Sequence, residues 1–173
     1  MQVVIPSTAY HPMTIKEYNN CVDSHADGLY RFMLKHVRDT EQAKDLVQEA
    51  FAKMWLKREE VNGEKAKSYL FSTGYHTMID LMRRSKKQGN YNELEAEKRG
   101  HSNQYSDLNE VLHAALETLP EIQKSVVLLR DYEGYSYEEI GEICKLNEPQ
   151  VKVYIFRARQ ALRTYIGSME AVL

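Results

Sequence analysis

Residues 136–159 read SYEEIGEICKLNEPQVKVYIFRAR, the pattern of two short helices joined by a tight turn. Ser136 and Glu139 have the spacing of a capping box, in which the hydroxyl and the carboxylate satisfy free backbone donors at a helix start. Asn147, followed by Gln150, repeats that spacing at the start of the second helix. The stretch therefore predicts a helix-turn-helix.

The second of these helices has one apolar and one basic face. The apolar residues recur at helical spacing and predict a core contact: Val151, Ile155, Ala158, Leu162 and Ile166. The opposite face groups Lys152, Phe156, Arg159 and Arg163, with Val153 and Gln160 at its margin. A phenylalanine among cations fits the major groove of DNA, where cations bind phosphate or guanine edges and a ring contacts thymine methyl groups. The alternative is a surface aromatic covered by its neighbours' methylene stems.

The rest of the chain predicts an all-α protein, because apolar residues recur at three- and four-residue spacing with no strand-like alternation. We expect helices at residues 14–20, 24–38, 40–57, 64–87, 106–118, 120–132, 136–144 and 148–166. Between Ser85 and Asp107 the only large aliphatic residue is Leu94, so this stretch cannot bury enough apolar surface to order itself. The sequence therefore predicts two small helical domains, at residues 10–88 and 107–168, joined by a flexible linker at residues 89–106.

Charge is distributed unevenly along the chain, although its net value is only -2. Residues 65–87 carry six bases against one acid, and residues 150–165 carry four bases and no acid. The stretch from Asp131 to Glu148 is mostly acidic. Two basic patches on a mildly acidic chain fit two separate contacts with phosphate, although solvated helix faces are the plainer interpretation of such clusters.

The helix predicted at residues 64–87 has an apolar face and a mixed one. The mixed face combines a ring, small hydrogen-bonding groups and charged groups, mostly cations: Tyr69, Ser72, Thr73, His76, Asp80, Arg83, Arg84 and Lys87. Rings stack on unpaired bases, hydroxyl and imidazole groups bond to base edges, and cations follow phosphates. This face therefore fits single-stranded nucleic acid.

Nothing in the sequence indicates catalysis. Asp45 and Glu49 lie on the polar side of the helix predicted at residues 40–57, where an exposed carboxylate pair has no pocket to raise either pKa. We find no P-loop, nucleophile elbow, HExxH or cysteine-histidine ligand set, and we expect no cofactor and no metal. Cys21 and Cys144 are interpreted as ordinary buried thiols. Without a membrane-length apolar run or a signal-peptide pattern, we expect a cytoplasmic protein that does not insert into a membrane.

These motifs, in this order and spacing, resemble the extracytoplasmic-function (ECF) sigma factors of the sigma-70 superfamily over roughly residues 24–165. The run DLVQEAF at residues 45–51, with Trp55, is similar to the family's region 2.2. Residues 69–80 followed by Arg83 and Arg84 resemble regions 2.3 and 2.4, and residues 119–159 resemble region 4. The resemblance implies a region 2-like helical bundle and a region 4-like helix-turn-helix. It implies a non-enzymatic subunit that binds core RNA polymerase and directs promoter-specific transcription initiation.

The resemblance also implies roles for individual residues. Asp45, Gln48, Glu49 and Lys53 fall where family members dock on core polymerase. Minus-ten recognition falls to Tyr69, Ser72, Thr73, His76, Asp80, Arg83 and Arg84. Minus-thirty-five recognition falls to Pro149, Gln150, Lys152, Val153, Phe156, Arg157 and Arg159. The implied partners are bacterial core RNA polymerase, promoter DNA and an anti-sigma factor. In the free chain we expect the two domains to be mobile about the linker or held together by that inhibitor.

Several residues depart from the family's pattern. His76 stands where many members have asparagine, Tyr75 where a basic residue is frequent, and Tyr69 where tryptophan is usual. Gly141 and Lys145 replace a usual alanine and glycine. The preferred promoter sequences therefore stay open. Two other classes of protein remain as alternatives: a stand-alone helix-turn-helix repressor or activator, and a helical interaction protein whose basic faces contact protein.

Overall fold

The computed structural model describes residues 11–88 and 106–170. The N-terminal half contains α1 (Ile15–Val37), α2 (Thr40–Leu56), a short 3-10 turn (Gly63–Lys65) and α3 (Ala66–Lys87). The C-terminal half contains α4 (Ser106–Glu117), α5 (Glu121–Val127), a π-helical turn (Leu128–Tyr132), α6 (Tyr137–Cys144) and α7 (Glu148–Glu170). The prediction of an all-α protein is confirmed. The linker predicted at residues 89–106 lies outside the described residues, apart from Ser106, where α4 begins.

Helix α1 is continuous, so the prediction of separate helices at residues 14–20 and 24–38 is wrong. The apolar stripe runs through the predicted break at residues 21–23, because Cys21 within it and Leu29 after it are both buried. The packing of this stripe outweighs the weak helix propensity of the polar residues between them.

The three helices of the N-terminal half enclose one apolar core. Its largest completely buried side chains are Phe32, Phe71, Leu29, Met33, Met54, Leu70 and Met78. Gly74 allows α3 to approach α1 closely, since a Cβ atom at this position would lie 2.7 Å from Cε of Met33. Trp55 lies at the edge of this core and is 36% exposed.

Both cysteines are buried and neither forms a disulfide. Burial raises the pKa of Cys21 to about 11 and that of Cys144 to about 12. Both thiols therefore stay protonated at neutral pH and contribute as small apolar groups.

Helices α6 and α7 form the helix-turn-helix, and both predicted capping boxes are present. The Ser136 hydroxyl accepts a hydrogen bond from the Glu139 backbone nitrogen at 3.1 Å, and the Glu139 carboxylate accepts one from the Ser136 nitrogen at 2.8 Å. Asn147 and Gln150 exchange the equivalent bonds at 3.0 and 2.9 Å. These reciprocal bonds fix where α6 and α7 begin.

The two halves pack directly against each other, mainly through α3 and α6. Tyr135 is 2% exposed, and its ring lies 4.9 Å from that of Phe71 and 4.0 Å from the ammonium group of Lys67. Each ion pair that joins the halves within the described ranges has its base in the N-terminal half and its acid in the C-terminal half. These pairs are Arg31–Glu133, Arg38–Glu117, Lys65–Glu142 and Lys67–Glu139, and the contact of His36 with Glu121 has the same polarity.

This interface differs from the expectation of mobile domains or of domains held together by an inhibitor. Lys65 and Lys67 belong to the first basic patch of the sequence, and they pair with the acidic stretch between residues 131 and 148. The sequence shows both clusters but not their pairing, because they lie more than one helix apart along the chain.

His36 is the most enclosed ionisable group of this interface, with its side chain 0% exposed. Its Nδ1 atom forms a hydrogen bond with the Glu121 carboxylate, and its Nε2 atom lies 3.5 Å from the Ser125 hydroxyl. Lys124 and Glu117 also face this site and pair with each other at 2.5 Å. One histidine thus faces two acids and one base of the C-terminal half.

Burial lowers the pKa of His36, and the hydrogen bond with Glu121 opposes that effect without cancelling it. Burial raises the pKa of Glu121, but His36 and Lys124 outweigh it, so the pKa of this carboxyl lies below its usual value. The pair is therefore a neutral imidazole that donates to a carboxylate. Burial also lowers the pKa of His76 and of His113.

These shifts predict that acid destabilises the folded chain. An unfolded histidine takes up a proton as the pH falls through about 6.5, whereas folded His36 stays neutral to a lower pH, so the unfolded state binds more protons there. The stabilisation is complete above about pH 6.5 and is lost as the pH falls below it. The free energy of unfolding in urea should therefore be lower at about pH 5.5 than at about pH 7.5.

The variant His36→Gln should lose part of this pH dependence, while His11→Gln, which replaces an exposed histidine of the same half, should keep it. Equal slopes in the wild type and in His36→Gln would show that the imidazole at position 36 does not cause the effect.

Candidate nucleic-acid interface

The outer face of α7 is a basic surface around an exposed ring. Phe156 is 64% exposed, and it lines a shallow groove with Tyr137, Lys152, Ile155, Arg159, Gln160 and Arg163. Val151, Ile155 and Ala158 on the opposite side are buried, as the helical spacing predicts. The core contact of α7 therefore holds the ring of Phe156 in solvent.

Two cations of this face are held by acids of the same half. Arg159 donates two hydrogen bonds to the Asp131 carboxylate, at 3.0 and 2.5 Å. The Lys152 ammonium lies 2.6 Å from the Glu148 carboxylate and 5.5 Å from the ring centre of Tyr137. A bidentate pair fixes the plane of a guanidinium, whereas a lysine can turn to a new partner. Arg159 is thus oriented in advance, and Lys152 remains adaptable.

The other residues predicted to contact the minus-thirty-five element also lie on the surface of α7. Pro149, Gln150, Val153 and Arg157 are exposed. The Gln150 side-chain oxygen belongs to the capping box, which leaves its amide group as a hydrogen-bond donor. Arg157 has no ion-pair partner within residues 11–88 and 106–170, so its charge is available to a phosphate.

The residues predicted to contact the minus-ten element divide between two sides of α3. Asp80 and Arg84 line a groove that joins one side of α3 to the polar face of α2. The other residues of this groove are Gln42, Asp45, Leu46, Glu49, Lys53, Thr77 and Leu81. Asp80 also pairs with Arg83 at 3.0 Å. Tyr69, Ser72 and Thr73 are half-buried nearer the start of α3.

His76 lies on the side of α3 that faces α6. Its pKa is lowered first by burial and then by the charge of Lys145, while the Ile143 carbonyl raises it. The Nε2 atom of His76 is buried and has no hydrogen-bond partner among the described residues. The C-terminal half therefore covers part of the surface that the sequence assigns to a DNA strand.

The four residues predicted to dock on core polymerase form one exposed strip on α2. They are Asp45, Gln48, Glu49 and Lys53. The Lys53 ammonium lies 2.6 Å from Glu49 and donates to the Thr77 hydroxyl at 2.9 Å. This bond links the strip on α2 to α3.

Sequence reasoning missed the residues that support the basic face of α7. Asp131 orients Arg159, and Tyr137 lies beneath both Lys152 and Arg130, whose guanidinium is 4.6 Å from the ring centre. Asp131 and Tyr137 lie outside α7, so the periodicity of α7 carries no signal for them.

Two of the positions where the chain departs from the family's pattern, Gly141 in α6 and Lys145 at its end, shape the turn between α6 and α7. A Cβ atom on Gly141 would lie 2.7 Å from the Leu146 carbonyl oxygen, so this glycine permits the close approach. Lys145 ends α6 in the left-handed conformation, with φ 56 and ψ 49, where glycine is usual.

Each half of the chain matches a known family model. Residues 21–88 match the family model described as Sigma-70 region 2, and residues 109–162 match Sigma-70, region 4. The first match contains α2 and α3, and the second contains the helix-turn-helix.

Similar proteins align over most of the chain. RNA polymerase sigma factor SigV of Bacillus subtilis is 33% identical over 146 residues, which are 83% of this chain and 87% of that protein. ECF RNA polymerase sigma factor SigE of Mycolicibacterium smegmatis is 30% identical over 87% of this chain and 62% of that protein. The sigma factor RpoE of Bartonella quintana, solved in complex with the anti-sigma factor NepR, superposes with a TM-score of 0.75 and 25% identity. That superposition covers 88% of this chain and 98% of RpoE.

The chain belongs to the ECF group of the sigma-70 family. It is a non-enzymatic transcription factor that directs promoter-specific initiation by RNA polymerase. The matches to region 2 and region 4 on one chain decide against a stand-alone helix-turn-helix regulator. Among the residues that the structure describes, no helix is long and apolar enough to span a membrane.

The left-handed conformation of Lys145 predicts that a glycine there stabilises the protein. Lys145→Gly should raise the free energy of unfolding by about 1 kcal/mol, because a side chain in this region is strained and glycine is not. Urea denaturation measures the change. Lys145→Ala is the matched control, since it removes the same charge and keeps a Cβ atom. If the two variants are equally stable, the conformation of residue 145 is not strained.

Proposed function

We propose that three surfaces of this sigma factor carry out its function. The outer face of α7 reads the minus-thirty-five duplex, the polar face of α3 captures the minus-ten strand, and the strip on α2 docks on core polymerase. The observation that supports this most directly is the ring of Phe156, which is 64% exposed among the cations of α7. On DNA, a phenylalanine among cations can contact thymine methyl groups while the cations bind phosphate or guanine edges.

The proposal includes individual roles. For the minus-thirty-five element we propose Lys152, Phe156 and Arg157 as groove and phosphate contacts, with Pro149, Gln150, Val153 and Arg159 around them. For the minus-ten element we propose Tyr69, Ser72, Thr73, His76, Asp80, Arg83 and Arg84. Residues 10–88 and 107–168 are the working units, and residues 89–106 connect them.

Useful affinity for promoter DNA requires both units on one polymerase. Each surface offers few cations, so each alone binds phosphate weakly at physiological salt. Once one unit is bound to the scaffold, the second contact becomes effectively intramolecular and gains a high local concentration. The strip of Asp45, Gln48, Glu49 and Lys53 supplies the anchor.

An anti-sigma factor is the proposed regulator. RpoE, which resembles this chain over both halves, was solved with the anti-sigma factor NepR. We place the chain in the cytoplasm, because core RNA polymerase and promoter DNA are its proposed partners.

Variants of the α7 face should weaken initiation from a promoter that needs the minus-thirty-five element. Lys152→Ala and Arg157→Ala should each cost about 1–3 kcal/mol if the side chain contacts a base, or lower the salt dependence of binding by about one ion if it contacts phosphate. The measurement is transcription in vitro with core polymerase over a series of salt concentrations. Lys16→Ala, which removes an exposed cation on α1, is the control and should leave initiation unchanged. Wild-type activity in both α7 variants would exclude this face from DNA.

Reversing charge on the α2 strip should prevent docking. Asp45→Lys combined with Glu49→Lys should weaken capture by immobilised core polymerase by about tenfold or more, since the new lysines repel the surface that the acids complement. The control is Asp23→Lys, which reverses the charge of one exposed acid on α1 and should bind like the wild type. Full capture of the double variant would place the docking surface elsewhere.

A further inference from the structure

The interface between the halves pairs the bases of one half with the acids of the other, much as a protein pairs its bases with the phosphates of a nucleic acid. Lys65 and Lys67, at the start of α3, meet the carboxylates of Glu142 and Glu139 at 3.1 and 3.6 Å. Both acids lie on α6, three residues apart and therefore on one side of that helix. An anionic side of α6 thus occupies cations that are otherwise free to bind phosphate.

The same helix covers the strand-facing side of α3. The end of α6 places Lys145 and the Ile143 carbonyl beside His76, whose Nε2 atom is left buried without a hydrogen-bond partner among the described residues. Tyr75, the neighbouring residue, is 6% exposed. A base that stacks or hydrogen-bonds on this side of α3 cannot reach it while α6 is in place.

We propose that the C-terminal half inhibits its own chain: α6, held by the acid-base polarity of the interface, blocks single-stranded DNA from α3 until the halves separate. This inference rests on the proposed role of α3 in strand capture. It assigns α6 a second role beyond the helix-turn-helix, as an internal competitor of the DNA strand.

The exposed ion pairs at the rim of the interface add little to its stability. Lys65 and Glu142 have side chains that are 67% and 40% exposed, and exposed pairs of this kind stabilise a structure by only about 0–1 kcal/mol each. Strand binding and closure use the same surface of α3, so each opposes the other by the same factor.

One contact of the interface offers a way to open it without changing the net charge. The Glu133 side chain is 8% exposed and pairs with Arg31 at 3.1 Å. It fits because residue 28 of α1 is glycine: a Cβ atom there would lie 2.9 Å from Oε2 of Glu133. A long polar side chain in Gly28→Gln therefore occupies the place of the Glu133 carboxylate.

The test uses the full-length chain without polymerase. Energy transfer between dyes at Asn20→Cys on α1 and Thr164→Cys on α7 reports the separation of the halves. Fluorescence anisotropy measures the affinity for a labelled single-stranded 20-mer pool of random sequence. Gly28→Gln and Glu133→Lys should lower the energy transfer. They should also tighten strand binding, by about tenfold if about one tenth of the wild-type chain is open.

Two controls separate opening from charge and from misfolding. Glu138→Lys removes an exposed acid of α6 that pairs with no base in the described ranges, and it should leave the transfer unchanged. It matches Glu133→Lys in charge, so its effect on strand binding is the baseline to subtract. Arg31→Glu combined with Glu133→Arg restores the pair in reverse and should restore both the transfer and weak strand binding.

The inference is overturned if the opened variants bind the strand no better than Glu138→Lys. It is also overturned if the energy transfer stays high in both Gly28→Gln and Glu133→Lys, or is already low in the wild type. Promoter-specific transcription with core polymerase distinguishes this failure from that of the proposed function. If transcription is normal in these cases, the proposed roles of the three surfaces are kept and only the proposal of self-inhibition is rejected.

Discussion

The structure depends on α3 being buried on two sides. One side packs on α1 and α2 through Leu70, Phe71 and Met78, and the other receives Tyr135 and α6 of the C-terminal half. Burying an aromatic side chain such as Tyr135 contributes roughly 1.5–3 kcal/mol, more than any one exposed ion pair around it. The apolar contact therefore supplies the stability of the interface, and the ion pairs select which surfaces meet.

This arrangement explains how a DNA-binding protein has a net charge of -2. The acids of α6 and of the turn before it balance the bases of α1 and α3, while the bases on the outer face of α7 are exposed. Charge is thus neutralised where the halves meet and is displayed where duplex DNA is proposed to bind. Asp131 also balances a base of this face, because it pairs with Arg159 and orients its guanidinium without covering it.

The sequence predicts what is encoded locally. The capping boxes at Ser136 and Asn147 depend on residues three apart, and they are confirmed. The core stripe of α7 depends on its own periodicity and is confirmed at Val151, Ile155 and Ala158. Leu162 and Ile166, nearer the end of the helix, are only partly buried. The break predicted inside α1 is wrong because packing against distant residues decides it. The cover over His76 could not be predicted, since a polar helix face looks the same whether it meets solvent, DNA or α6. The roles of individual surface residues stay predictions.

Promoter recognition and the closed arrangement make opposite demands on the chain. Under the roles proposed for α3 and α7, the two helices must reach two elements that are separated along the DNA, and α3 must expose the side that α6 covers. The closed chain cannot meet both demands, so part of the free energy of docking on polymerase and DNA must be spent on separating the halves. The interface combines buried contacts at Tyr135 and His36 with exposed ion pairs such as Lys65–Glu142, so it can hold the free chain closed until a larger binding surface replaces it. A more apolar interface would be more stable, but it would weaken promoter binding by the same free energy.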